Sequence, residues 1–255
     1  MLTQKQIYDT ALLQSSYDCA CSPEDFLQDR NIVVLSKKDE RARRYLKLPF
    51  ILNLVYYGKN IVASVREDLK DETEAFLEGK KDNYSFFETP KITDLEKMLS
   101  PKGARVCYMA EYFLPDIASI PDISTDYETR MLYKEDFRDL YTDDWKNALC
   151  SERKELDIMG TGVYDGGKLV GFAACSMDCD EMWQIGIDVL PGYRKKGIAS
   201  ALVSKLALEI LERDKVPFYC AAWSNIASVR TAINSGFRPA WMELTAKETD
   251  MVNNL

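Results

Sequence analysis

The 255-residue chain contains no histidine. Histidine is the side chain that most often exchanges a proton near neutral pH, and its imidazole is also a common metal ligand. Its absence excludes Ser–His and Cys–His nucleophiles as well as imidazole metal ligation. Any proton transfer by this protein must therefore use a carboxylate, tyrosine, cysteine or water.

Long apolar segments are also missing. No window approaches 18 consecutive apolar residues, and the N-terminal segment has no apolar stretch after a basic region. This pattern predicts neither a transmembrane helix nor a secretory signal. The seven cysteines form an odd set in a chain too long to need disulfides, so we interpret them as reduced thiols. We expect a cytoplasmic protein.

Metal and nucleic-acid partners are not indicated. The closest cysteine pair, Cys19 and Cys21, has no second pair at the spacing of a zinc site, so no metal is expected. The 33 basic and 41 acidic residues give a net charge of −8. Binding to a nucleic-acid backbone requires a basic face, so nucleic acid is not expected as a partner.

The length of 255 residues predicts one or two domains, and the balance of 46% hydrophobic and 29% charged residues is typical of a globular protein.

Two common nucleotide-binding motifs are absent. No G-x-G-x-x-G dinucleotide fingerprint occurs in the chain. Gly192 and Gly197 have the spacing of a P-loop, but Ile198 and Ala199 follow where that motif needs lysine and then serine or threonine. The sequence therefore argues against a dinucleotide fold and against a Walker-type triphosphate site.

A short basic turn does lie between a predicted strand at 182–190 and an amphipathic helix that starts near Ile198. The start of a helix exposes N–H groups without intrahelical partners and carries partial positive charge, so it stabilises an anion. Gly197 allows close approach to the backbone, and charge-assisted donors come from Arg194, Lys195 and Lys196. The turn predicts a diphosphate site. The alternative is an ordinary basic turn that serves packing.

The same residues carry a family resemblance. Arg194-x-x-Gly197-x-Ala199 resembles the Gln/Arg-x-x-Gly-x-Gly/Ala signature of the GNAT superfamily of acyl-CoA-dependent N-acetyltransferases, and the run from Val189 to Arg194 matches the usual approach to it. The predicted order β-α-β-β-β-α-β-α-β over residues 124–255 is that of the GNAT fold. The resemblance implies an α/β (α+β) fold in which helices flank a mixed central sheet. It also implies acetyl-CoA as a substrate and an amine acceptor that attacks the thioester directly.

The first half of the chain is predicted to form a further N-terminal α/β domain. Strands are expected at 31–35, 50–56 and 104–114, helices at 60–77 and 92–99, and a linker at 115–126. A segment from Tyr57 to Ser64 is similar to a bacterial two-domain subgroup of the superfamily. We therefore predict domains at 1–123 and 124–255. The first would shape the acceptor site or form an oligomer contact, including a homodimer.

The resemblance also implies a set of cofactor-binding residues. Main-chain groups of the predicted strand would pair with pantetheine and with the thioester oxygen, and the turn and the helix start would bind the diphosphate. Asn225, after the next strand, would contact pantetheine, and Ser228 on the helix that follows would reach the distal part of CoA. Asn225 has an equally supported role as a helix N-cap. The set is Ile187, Asp188, Val189, Arg194, Lys195, Lys196, Gly197, Ile198, Ala199, Asn225 and Ser228.

The acid and base are less clearly marked. Glu181 and Gln184 flank the start of the central strand, where a family glutamate commonly binds the water that accepts the amine proton. The usual tyrosine acid is replaced by Ala232, so the thiolate leaves unaided or is protonated by another group; the candidates are Tyr219, Cys220 and Tyr193. An ordinary thiol titrates near ~8.5, which makes unaided departure feasible. The alternative function is a catalytically inactive, acyl-CoA-binding regulatory module.

Overall fold

The computed structural model describes residues 2–78 and 82–254. It consists of two compact units. Unit 1 contains Met1–Thr10 and Phe113–Pro239, and unit 2 contains Ala11–Tyr112 and Ala240–Leu255. No helix within the described residues is long and apolar enough to cross a membrane.

Unit 2 is built on strands in the order β1-β3-β2-β10-β4. β1 runs parallel to β3, whereas β2 is antiparallel to both β3 and β10. The strands are β1 (Ile32–Leu35), β2 (Leu52–Tyr56), β3 (Ile61–Val65) and most of β4 (Ala104–Pro115) and β10 (Phe237–Glu248). The helices are the larger part of α1 (Gln4–Cys19), α2 (Lys70–Leu77), α3 (Thr89–Leu99) and α6 (Thr249–Asn253).

The helix predicted at 60–77 is wrong in its first half. Residues Ile61–Val65 form β3, which is buried along its whole length, and α2 begins only at Lys70 after a 3₁₀ turn at Glu67–Leu69. β-Branched residues at three of five positions favour a buried strand. A short apolar run has no clear period, so tertiary pairing decided its structure. A short 3₁₀ helix, Pro23–Leu27, follows α1 and has Ser22 as its N-cap.

Unit 1 contains the strand order β9-β8-β7-β6-β5. Neighbouring strands from β5 to β8 are antiparallel, and β8 is parallel to β9. The elements are β5 (Glu128–Tyr133), β6 (Asp157–Asp165), β7 (Lys168–Ser176), β8 (Met182–Val189), α4 (Ile198–Leu211), β9 (Val216–Ala222) and α5 (Ile226–Asn234). The predicted strand at 182–190 and the helix predicted to start near Ile198 are confirmed to within a residue. The helix predicted between the first two strands of this region is instead a pair of short 3₁₀ helices, Lys134–Phe137 and Asp143–Trp145.

Packing fixes where α4 begins. Its apolar face includes Ile198, Leu202 and Leu206, which are buried against the sheet. A Cβ at Gly171 of β7 would lie only 2.7 Å from Cγ2 of Ile198. This close approach requires glycine and seats the first turn of α4 directly on β7. The turn that precedes α4 therefore lies at the end of β8 and is anchored by the core.

Candidate functional site

β8 and β9 separate partway along their length. Their parallel pairing joins Met182–Ile185 to Val216–Tyr219, whereas the pairing of β8 with β7 continues to Val189. The N–H of Leu190 donates to the carbonyl of Val170 at 3.0 Å. Because main-chain groups alternate in direction along an antiparallel ladder, those of Ile187 and Val189 point away from β7. These groups line the opening between the two strands.

The turn before α4 presents main-chain donors. Lys195 and Gly197 both have positive φ, 62° and 79°, and Gly197 is the N-cap of α4. Within the described residues, the N–H groups of Ile198, Ala199 and Ser200 donate no hydrogen bond to the protein. A Cβ at Gly197 would meet no atom within 4 Å. Open space over converging N–H groups suits a phosphate.

The basic side chains of the turn are exposed and two have internal partners. Arg194 donates from Nε to the carbonyl of Val189 at 2.9 Å. Nζ of Lys196 lies 3.1 Å from the hydroxyl oxygen of Tyr127 and 5.0 Å from the centroid of the Tyr193 ring. These contacts hold two cations beside the helix start while their remaining donors stay accessible. Ile198 has a buried side chain, so only its main chain is available to a ligand.

Asn225 and Ser228 lie at the start of α5. Oδ1 of Asn225 accepts the N–H of Ser228 at 3.2 Å, so the predicted N-cap role is confirmed. Contact of either residue with CoA stays a prediction. The hydroxyls of Ser228 and Tyr219 are 2.8 Å apart. Burial raises the pKa of Tyr219 to about 12, so this tyrosine carries its proton at neutral pH.

The two predicted catalytic residues lie in different surroundings. Glu181 precedes β8, is exposed, and accepts a hydrogen bond from Lys215 at 3.0 Å. It is about 13 Å of strand length from Ile185, where pairing with β9 ends. Nε2 of Gln184 donates to Sγ of Cys220 at 3.1 Å, and both side chains are half-buried. The structure thus brings Gln184 near the opening, and the role of Glu181 as base stays a prediction.

Three residues weighed as the acid are placed as follows. Tyr219 pairs with Ile185 at the last position of the β8–β9 ladder, and Cys220 follows it. Tyr193, which lies in the basic turn, donates a hydrogen bond from its hydroxyl to the carboxylate of Asp165 at 2.8 Å. Ala232 is fully buried in α5. Tyr219 is therefore the tyrosine that lies where the strands part.

Sequence reasoning missed one contact at the opening. The carboxylate of Asp188 accepts hydrogen bonds from Asn147 and from the N–H of Ala148. The family resemblance assigns only main-chain contacts to Asp188, whereas its carboxylate holds a segment from another part of the chain. No local motif reveals a contact between residues 41 positions apart. Within the described residues, no group of three or more Cys, Asp or Glu side chains could hold a metal ion.

The family model described as GNAT acetyltransferase matches residues 57–240. A comparison with curated protein sequences gives no match. Because the matched region spans more than half of the chain, the protein belongs to the GNAT acetyltransferase family. The expected GNAT fold is confirmed, and the family supports acyl-CoA-dependent acyl transfer as the general activity.

Several solved structures are similar in fold. A GCN5-related N-acetyltransferase-like protein from Streptococcus suis is 16% identical, with a TM-score of 0.45 over 63% of this chain and 69% of that one. An acetyltransferase of the GNAT family from Colwellia psychrerythraea is 14% identical, with a TM-score of 0.44 over 60% of this chain and 62% of that one. A GCN5-related N-acetyltransferase from Sphaerobacter thermophilus is 18% identical, with a TM-score of 0.45 over 62% of this chain and 56% of that one. The chain thus spans about two thirds or less of the length of these proteins.

Proposed function

From membership in this family we infer that the protein is an N-acetyltransferase that moves an acetyl group from acetyl-CoA to an amine by direct attack on the thioester. The observation that carries the proposal is the pairing of two features in unit 1. One is the start of α4, where three N–H groups donate no hydrogen bond to any residue that the structure describes. The other is the open edge of β8. A CoA thioester needs a site for its phosphate anions and an extended site for its pantetheine arm. The start of α4 offers the first site, and the open edge of β8 offers the second.

Each part of the site has an assigned task. The N–H groups from Ile198 to Ser200, with Lys195, Lys196 and Arg194 beside them, would bind the diphosphate through charge-assisted and main-chain hydrogen bonds. Main-chain groups of Ile187 and Val189 would hold pantetheine. An N–H on this edge would donate to the thioester oxygen and favour attack on the carbonyl carbon, because a fixed dipole stabilises the charge that develops there. When bound, the thioester supplies the acyl group.

Proton transfer would involve few protein groups. Tyr219 is protonated at neutral pH and lies where the strands part, so it can donate to a leaving thiolate within its reach. Glu181 is proposed as the residue that binds the water which accepts the amine proton. Since most amines are protonated at neutral pH, the rate should rise with pH into the alkaline range.

The experiment that tests the function measures release of the CoA thiol from acetyl-CoA in the presence of a panel of primary amines. Amine-dependent thiol release that increases from pH 7 to pH 9 is expected. Glu181→Gln should lower the rate mainly at the low-pH side, whereas Glu209→Gln, a control on the solvent side of α4, should not. A bell-shaped profile centred near pH 6 and unaltered by Glu181→Gln would contradict the assigned base.

A regulatory module that binds acyl-CoA without turnover is the second candidate. The buried Ala232 favours it, because the usual tyrosine acid is missing from that position. CoA binding measured by calorimetry, together with no thiol release for any amine in the panel, would support this alternative.

The role of residues 1–123 is proposed to be acceptor recognition or self-association. Five residues of β10, Met242 to Ala246, pair with β2, so a fragment that starts at Ser124 would lose the partner of its last strand. The division at 123/124 should therefore be tested in the full chain. Sedimentation of the intact protein will report whether a homodimer forms.

A further inference from the structure

The side chain of Asp188 accepts three hydrogen bonds from one short segment. Oδ2 accepts the N–H of Asn147 at 2.8 Å and the N–H of Ala148 at 2.9 Å, and Oδ1 accepts Nδ2 of Asn147 at 2.6 Å. A carboxylate that accepts two main-chain N–H groups fixes the position of that peptide. Asp188 thus ties the Asn147–Ala148 peptide to β8.

Gly186 brings the same peptide into direct contact with β8. A Cβ at Gly186 would lie 1.9 Å from the carbonyl oxygen of Asn147 and 3.1 Å from Cα of Ala148. No side chain fits at that position, so the peptide lies against the strand itself. Behind it, Trp145, Ala148 and Leu149 are buried in a cluster with Phe172 and Ala174. The segment is therefore held from both sides.

The contact lies at one end of the opening between β8 and β9. Gly186 is the first residue after the last pair, Ile185 with Tyr219, and the basic turn lies at the other end, beyond Val189. A donor with its diphosphate at Gly197 and its pantetheine along Val189 and Ile187 would direct its acyl group toward Gly186. The acyl group would then meet the Asn147–Ala148 peptide.

We propose that Asp188 is a positioning residue that holds the Asn147–Ala148 peptide as the wall of the acyl site, and that this wall restricts the donor to short acyl chains. The inference rests on the proposed function and adds to it a limit on the length of the donor's acyl chain. A longer chain would have to displace a peptide fixed by three hydrogen bonds. An acetyl group would fit without displacing it.

The test is calorimetric binding of CoA, acetyl-CoA, butyryl-CoA and octanoyl-CoA, which requires no knowledge of the acceptor. The wild type should bind acetyl-CoA roughly tenfold or more tightly than the two longer thioesters, a discrimination of the size that a closed apolar pocket achieves. Asp188→Ala removes all three bonds and should reduce the ratio to about threefold or less. Asn147→Ala removes one bond and should give an intermediate ratio.

The control is Asp136→Ala. Asp136 also accepts a main-chain N–H, from Tyr133 at 2.9 Å. It lies in the 3₁₀ helix that follows β5, and β6 and β7 separate β5 from β8 in the sheet, so its removal should leave the ratio at the wild-type value. Equal binding of acetyl-CoA and octanoyl-CoA by the wild type would contradict the proposed wall without contradicting the CoA site. An unchanged ratio in folded Asp188→Ala, or in folded Asn147→Ala if the first variant does not fold, would overturn the role of Asp188. Absence of binding by all four ligands would overturn the proposed function itself.

Discussion

The basic turn of unit 1 exposes its positive charges, whereas unit 2 buries an arginine in its interior. In unit 1, Arg194, Lys195 and Lys196 are exposed next to helix N–H groups that have no hydrogen-bond partner in the described part of the chain. In unit 2, Arg43 is buried, with only 2% of its side chain exposed, and forms ion pairs of 2.5 Å with both Asp18 and Glu243. The first arrangement leaves donors available to a ligand, whereas the second uses them within the fold.

The partners of Arg43 are themselves fully engaged. Asp18 accepts the N–H of Arg43 at 2.8 Å, and Glu243 accepts Nε1 of Trp241 at 2.8 Å. Nη1 of Arg43 donates to the hydroxyl of Tyr45, also at 2.8 Å. Burial raises the pKa of Asp18, and Arg43 opposes that shift. Such a network contributes to stability only while it is complete, because a single buried charge without its partner is costly. The comparison predicts that variants in the two units will affect different measurements.

The largest effect is expected from Gly197→Asp. A carboxylate and a Cβ would occupy the open space over the N–H groups of Ile198 to Ser200, and the new charge would repel phosphate. Binding of CoA should fall below detection by calorimetry, while thermal unfolding remains cooperative. Wild-type affinity in the folded variant would refute the diphosphate site.

A matched control separates this effect from backbone strain. Gly167 in the β6–β7 hairpin has φ of +84°, close to the +79° of Gly197, and a Cβ there also meets nothing within 4 Å. Gly167→Asp should therefore have the same cost of positive φ, about 1 kcal/mol, and retain CoA binding. If both variants lose CoA equally, the loss does not come from the site.

The second effect is on stability and belongs to unit 2. Arg43→Leu leaves Asp18 and Glu243 buried without their cation and should lower the free energy of unfolding by roughly 3–5 kcal/mol. Arg41→Ala removes the exposed pair with Asp39 and should lower the free energy of unfolding far less, because solvent screens an exposed ion pair. Urea unfolding measures both. Under conditions where Arg43→Leu is folded, its affinity for CoA should match the wild type, and a joint loss of stability and CoA affinity would show that the two roles are not separate.

The sequence predicted best the features that depend on neighbours in the chain. The turn from β8 to α4 is local, because Gly197, the basic residues and the periodic helix follow one another. The β6–β7 hairpin is likewise marked by Asp165, Gly166 and Gly167, where both glycines have positive φ. In these two regions the residues that determine the structure lie in the same short segment that adopts it.

The features that the sequence could not predict join distant residues. Arg43 and Glu243 are 200 positions apart, and Asp188 and Asn147 are 41 apart. Each residue alone has the pattern of a solvated charge, and only the fold reveals its partner. The same limit explains β3: Ile61–Val65 are buried as a strand because β1 and β2 pair on either side, which periodicity cannot indicate.

A third, smaller effect is expected from the basic side chains of the turn. Arg194→Ala and Lys196→Ala each remove a cation but leave the helix N–H groups in place, so each should weaken CoA by roughly tenfold. Phosphate-free pantetheine should lose much less, because its contacts are with β8. Lys205→Ala on α4 is the control for net charge. An equal loss for both ligands would place the side chains away from the phosphates.

The smallest effect concerns Asp157, a buried carboxylate of unit 1 that accepts hydrogen bonds from neutral donors, whereas Asp18 pairs with Arg43. Oδ2 of Asp157 accepts hydrogen bonds from the hydroxyl of Tyr141 at 3.1 Å and from the N–H of Cys150 at 3.3 Å. Burial raises its pKa to about 6, above the ~3.9 of an unfolded chain. Between these values the folded state binds more protons than the unfolded state, so the free energy of unfolding falls as the pH rises through that window.

Asp157→Asn removes this titration while an amide oxygen can still accept a hydrogen bond. The variant should therefore gain stability relative to the wild type between pH 4 and pH 7.5, by roughly 1 kcal/mol after allowance for solvent screening. Urea unfolding at both pH values measures the change, and Asp136→Asn on the exposed 3₁₀ helix is the control. A difference between variant and wild type that stays constant over this range would mean that Asp157 is as ionised in the folded chain as in the unfolded one. In that case burial alone would not account for the difference between Asp157 and Asp18, which pairs with Arg43.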